Sequence, residues 1–138
     1  MRDNEIHVAI SADPDIVAAR QAARELAIRA GFSGADLTML ATAVSEVARN
    51  IVRFARSGEV TIELVDGPRA GIHVVARDTG PGIDDVEVAL KDGFSTYDGL
   101  GLGLPGARRL MDEFNIVSEP GHGTTVTMTK WFDKKGTA

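Results

Sequence analysis

The chain has no cysteine among its 138 residues, which excludes disulfides, thiolate metal sites and cysteine nucleophiles together and leaves the protein indifferent to redox conditions. It has no apolar run near the length that spans a bilayer, so no membrane segment is expected. A basic start followed by an apolar stretch is also missing: Met1 to Ile10 carries charges and alternating residues, so no secretion signal is expected and the cytoplasm is the expected compartment. Clustered cations are scarce. A formal net charge of -5 leaves no excess of Lys and Arg to follow a phosphate backbone, so nucleic acid is not an expected partner. The one basic group, Lys130 with Lys134 and Lys135, reads as a solvated tail.

Several signatures are absent as well. There is no G-x-x-x-x-G-K-[ST], which excludes a P-loop, and no H-R-D or D-F-G set, which excludes a eukaryotic-type protein kinase. Gly101 to Gly106 spells G-x-G-x-x-G, but Phe94 to Asp98 before it is not the buried strand that a dinucleotide fingerprint must follow. His7, His73 and His122 are scattered without ligand spacing and read as surface or strand residues. There is no internal repeat and no low-complexity segment.

What remains is the composition of a soluble globular protein, 43% hydrophobic and 25% charged, with the length of one domain over residues 1–138. Ile6, Val8 and Ile10 alternate and predict a strand over Glu5 to Ile10. Asp13-Pro14 supplies an N-cap and a first-turn proline for a helix over Ile16 to Ala30 that ends at Gly31. Ser33 or Asp36 can cap a longer helix in which Leu37, Leu40, Val44, Val47 and Ile51 recur at helical steps. Val60 to Leu64 and Ile72 to Ala76, separated by Asp66-Gly67-Pro68, predict an antiparallel hairpin whose second strand stops at Asp78. Asp84 to Leu90 reads as a short helix and Asp92 to Gly103 as a loop. Leu104 to Met111 reads as a helix, Phe114 to Val117 as a strand, and Gly121-His122-Gly123 as a turn into a strand over Thr125 to Trp131. The expected fold is α/β: a two-layer sandwich of a mixed, mainly antiparallel sheet covered on one face by helices.

Three short elements stand out on this frame. Glu46 and Asn50 lie at i and i+4, hence on one helix face, on a stripe that flanks the apolar one and faces either a cleft or water. Asp78-Thr79-Gly80-Pro81-Gly82 sets an acid at a strand end before a turn with two glycines. Gly99, Gly101 and Gly103 cost backbone entropy on folding, which a stability role does not explain; successive exposed N–H groups can seat phosphate oxygens.

With Gly121-His122-Gly123-Thr124, these elements resemble in order and spacing the N box, the two glycine boxes and the late Gly-x-Gly-Thr of the Bergerat-fold (GHKL) ATPases. That superfamily includes histidine-kinase catalytic domains, gyrase B and heat-shock protein 90. Within it the chain is most similar to the small anti-sigma serine kinases, above all the switch kinases of the bacterial stressosome. Ile16 to Arg20, Ser45 to Asn50, Asp78 to Ile83, Asp92 to Thr96, Gly99 to Gly106 and Arg109 to Phe114 carry the likeness.

The resemblance implies a Bergerat ATP-binding fold that uses ATP and Mg²⁺. It implies that Asp78 accepts the adenine amino group, with Thr124 bonding the base directly or through water. Asn50 would give its amide oxygen to Mg²⁺. Gly80 and Gly82 would let the backbone pass close to the base, and Gly99, Gly101 and Gly103 would cradle the phosphates as a lid. Glu46, where histidine kinases usually carry asparagine, would take a proton from an attacking hydroxyl, either water or a Ser or Thr of another protein. The gyrase-like ATPases carry a further domain for which this length leaves no room, so protein serine phosphorylation is the favoured reading. The expected partners are then STAS-domain proteins as substrate and scaffold and a PP2C-type phosphatase activated on release. An anti-sigma factor that sequesters a sigma factor and phosphorylates its STAS antagonist is the alternative, and a detached histidine-kinase ATP domain ranks last.

Overall fold

Alternation of apolar and polar residues builds the sheet. Ile6, Val8 and Ile10 of β1 (Glu5–Ile10), Val60, Ile62 and Leu64 of β2 (Gly58–Val65) and Ile72, Val74 and Ala76 of β3 (Ala70–Asp78) turn to one side and lie in or against the core. The computed structural model describes residues 4–66, 68–83 and 103–132. After β3 it places helix α3 (Gly103–Leu110) and strands β4 (Glu113–Glu119) and β5 (Gly123–Phe132). Among the described residues the sheet has five strands in the order β1-β2-β3-β5-β4. Its pairings among the described residues are all antiparallel, so the mixed, mainly antiparallel sheet expected from the sequence is antiparallel throughout that part.

Helices α1 (Asp13–Arg29) and α2 (Gly34–Phe54) pack on each other and on the inner face of the sheet, and α3 packs on α2. Burial of a Leu, Ile or Val side chain is worth about 1.5–3 kcal/mol, and Leu40, Val44, Val47 and Ile51 of α2 are all essentially inaccessible. Ala41, Ala43 and Ala48 are buried too, because α2 has the sheet on one side and α1 and α3 on others. The two-layer sandwich is the expected one, and β1 has the expected limits.

Details differ where capping chemistry decides. The N-cap of α1 is Ala12, not Asp13, and no side chain caps it. Asp15 does that work from inside the first turn, its Oδ2 accepting the N–H of Ser11 at 2.9 Å and of Ala12 at 3.1 Å. These two bonds hold the Asp15 carboxyl below the usual carboxylate value. Of the two candidate caps of α2, Ser33 holds the N-cap position, without a side-chain capping bond. Lys130 corrects the solvated-tail expectation: it is only 8% exposed. It shares the inner face of β5 with Val126 and Met128, and its Nζ donates to the Leu110 carbonyl at the end of α3 at 3.1 Å. Lys134, Lys135 and the helix expected over 84–90 lie outside the described residues, as does most of the loop expected over 92–103.

Candidate active site

The C-terminal end of β3 is the first half of the site. Asp78 is buried, and both its bonds among the described residues fall on Oδ1, which accepts the N–H of Gly80 at 2.9 Å and of Thr124 at 3.2 Å. The first is an Asx turn, the local bond that makes Asp a turn residue. The second follows from register, since Asp78 and Thr124 are partners across β3 and β5. Thr124 Oγ1 lies 2.8 Å from Ser118 Oγ, which donates to the Gly123 carbonyl at 3.1 Å and accepts the Ile83 N–H at 2.7 Å. The Gly121 N–H donates to the Pro81 carbonyl at 2.6 Å. Two turns distant in sequence are thus locked together.

The glycines here answer to protein contacts. A Cβ on Gly80 would sit 2.6 Å from the Ala55 Cβ, at the end of α2. Gly82 has φ +79° and a Cβ there would run into the Glu119 carbonyl. The end of α2 therefore presses on the Asp78 turn, and Gly58 below it leaves room for Ile51 and Asp78 together.

The other half of the site lies further back along α2. Glu46 is 7% exposed, and its two oxygens have separate donors. Oε1 accepts the N–H of Gly103, the first residue of α3, at 3.1 Å. Oε2 accepts Nη1 of Arg49 at 2.8 Å. Gly103 has φ +55°, a conformation that favours glycine. Asn50, half-buried, is one turn along α2 from Glu46 and toward the Asp78 turn. From Glu46 to Ala55 the helix rises roughly 13 Å, so α2 runs from the Gly103 N–H at Glu46 to the Asp78 turn at Ala55. Gly99 and Gly101 lie outside the described residues.

Two residues of this arrangement, Arg49 and Ser118, are not among those that the sequence singles out. Arg49 was visible at i+3 from Glu46, a spacing that lets side chains meet. Ser118 needed the β4–β5 register, in which it faces Thr124.

The profile of the histidine kinase-like ATPase domain matches residues 10–130. The chain belongs to the histidine kinase-like ATPase family. Among relatives of this family, the serine/threonine-protein kinase RsbT of Bacillus subtilis is 48% identical over 125 residues, covering 90% of this chain and 94% of its own length. The anti-sigma F factor of Anoxybacillus flavithermus is 35% identical over 106 residues, 72% of each chain. The RsbU and RsbW domains of a Mycobacterium tuberculosis protein share the fold, with a TM-score of 0.65 at 21% identity over 94% of this chain and 33% of that one. The mycobacterial sensor histidine kinase MprB does so with a TM-score of 0.56 at 18% identity, over 91% and 97%. The chain is thus a kinase-type enzyme with the ATP-binding fold of this family. Among the described residues no helix is long and apolar enough to cross a membrane.

Proposed function

We propose that this chain is an ATP-dependent serine/threonine kinase that phosphorylates STAS-domain regulators in a stress-signalling partner switch and, on release, activates a PP2C-type phosphatase. It would act as a single ATP-binding domain over residues 1–138, in the cytoplasm. The observation that carries the reading is Glu46, a buried carboxylate one turn from Asn50 and set against the first N–H of α3. A carboxylate so placed can take the proton of a hydroxyl as it attacks phosphorus. The RsbT relative and the stressosome likeness of Ser45 to Asn50 support the choice of protein partners.

The same reading gives each other residue of the site a role. With Oδ1 of Asp78 held by two backbone donors, Oδ2 would accept the adenine amino group, and Thr124 beside it would bond the same base directly or through water. Asn50 offers one amide oxygen, which fits Mg²⁺, an ion that completes its shell with phosphates and waters. When bound, that ion would offset phosphate charge. Gly99, Gly101 and Gly103 would turn N–H groups to the phosphates, and Gly80 and Gly82 would keep the backbone close beside the base.

Purified chain, Mg-ATP and a purified STAS-domain protein make the test. Phosphate should appear on Ser or Thr, and Glu46→Gln should lower transfer by about a hundredfold or more with ATP binding retained. No transfer, or transfer indifferent to residue 46, would sink the reading. The likeness to anti-sigma F factors favours a second one, direct sequestration of a sigma factor together with phosphorylation of its STAS antagonist. Co-purification with a sigma factor would select it.

A further inference from the structure

The two oxygens of Glu46 are bound by donors of different kinds. Gly103 belongs to the glycine stretch that the proposed function assigns to phosphates, so its N–H on Oε1 is one that nucleotide would compete for. Arg49 sits on the same helix as Glu46, three residues on, and its bond to Oε2 is internal to that helix. The side chains are 23% and 8% exposed, so the pair is sheltered from most of the screening that makes exposed helix pairs weak. A guanidinium is rigid and permanently charged, suited to fixing a carboxylate in one orientation.

We propose that Arg49 is the positioning residue of phosphotransfer: it anchors Glu46 through Oε2 and so reserves Oε1 for the acceptor hydroxyl. The inference rests on the reading of Glu46 as the base. In the step itself, the hydroxyl proton passes to Oε1 and the hydroxyl oxygen bonds to the γ-phosphorus. The bond from that phosphorus to the β–γ bridging oxygen breaks, and ADP leaves with the electron pair. Without Arg49 the carboxylate can swing, and misplacement by about 1 Å costs on the order of a hundredfold in rate.

Arg49→Met keeps the stem and removes the donors. In the same STAS-protein assay it should lower kcat by about ten- to a hundredfold, with KM for ATP and calorimetric Mg-ATP affinity within about twofold of the parent. Arg49→Lys should recover part of the loss. Arg49→Met added to Glu46→Gln should cost nothing more, because residues that act as a unit are not additive. Should Arg49→Met fold poorly, Arg49→Leu, which also has no donor, carries the same test. Parental kcat in the variant, or a loss of kcat matched by ATP affinity and melting temperature, would overturn the proposal and leave the kinase reading standing. If the parent chain itself shows no transfer that depends on Glu46, the kinase reading fails and this inference falls with it.

Discussion

The carboxylate of Glu46 and the backbone N–H of Gly103, 57 residues apart in sequence, meet at 3.1 Å. An anion at a helix N-terminus is favoured by about 0.3–1 kcal/mol, up to roughly 2 when partly buried, so this bond helps to seat α3 on α2. It also sets a negative charge where the proposed function brings phosphate. Glu46→Gln should therefore lower stability without nucleotide by about 1–2 kcal/mol in urea unfolding. Calorimetry should show Mg-ATP binding at least as tightly as to the parent, since a neutral amide neither repels phosphate nor holds the N–H as firmly.

Asp78→Asn separates folding from binding. An asparagine oxygen can still accept the N–H groups of Gly80 and Thr124, so the melting temperature should hardly move. Its NH2 group would then face the adenine amino group that the proposed function places there, donor against donor. A lost bond to a charged acceptor is worth about 1.5–3 kcal/mol, or roughly ten- to a hundredfold in Kd, and titration with ATP should read that loss.

Gly82 and Gly121 differ in a way that substitution can measure. Both have positive φ, +79° and +82°, but a Cβ on Gly82 meets the Glu119 carbonyl whereas one on Gly121 meets nothing within 4 Å. Gly121→Ala should cost only backbone strain, about 1–2 kcal/mol. Gly82→Ala should cost clearly more in the same denaturant titration, because the Pro120 turn must shift as well.

Lys130 should act as a strut. Its ammonium donates to the Leu110 carbonyl and lies 4.0 Å from Asp36 and 3.9 Å from Asp112. Lys130→Met keeps the buried stem but leaves that carbonyl, at the negative end of α3, without its cation. The expected cost is about 1–3 kcal/mol, read as a lower urea midpoint with an unchanged slope.

Acid should loosen the start of α1. The Asp15 carboxyl is held below the ordinary value of 3.8 by the N–H groups of Ser11 and Ala12. A folded-state value below the unfolded one contributes stability that is present above 3.8 and lost as pH falls through the lower, folded value. Asp15→Asn should thus be less stable than the parent near neutral pH, and the difference should fade in acid. A gap between the two melting curves that stayed constant down to that acid range would contradict this.

How far the sequence reaches can be judged residue by residue. β1 over Glu5 to Ile10 and the end of β3 at Asp78 were legible because strand alternation and a Gly-Pro-Gly turn are local patterns. The N-cap of α1 lies one residue before the expected Asp13, because Ala12 is the last residue with extended backbone angles and Asp15 bonds back to its N–H. Arg49 and Lys130 were in view as letters, yet whether each faces water or a buried partner depends on elements distant in sequence.

By itself the sequence determined the described helices and strands and the spacing of Glu46, Asn50, Asp78 and Thr124, because hydrophobic period and turn chemistry act over a few residues. Only the tertiary structure decided that Glu46 is buried, that its oxygens are shared between Gly103 and Arg49, and that Asp78 is gripped by the Thr124 backbone. Those outcomes come from α3 closing on α2 and from the β3–β5 register. Burial and long-range hydrogen bonds are set by which surfaces meet, and no local window of sequence contains both partners.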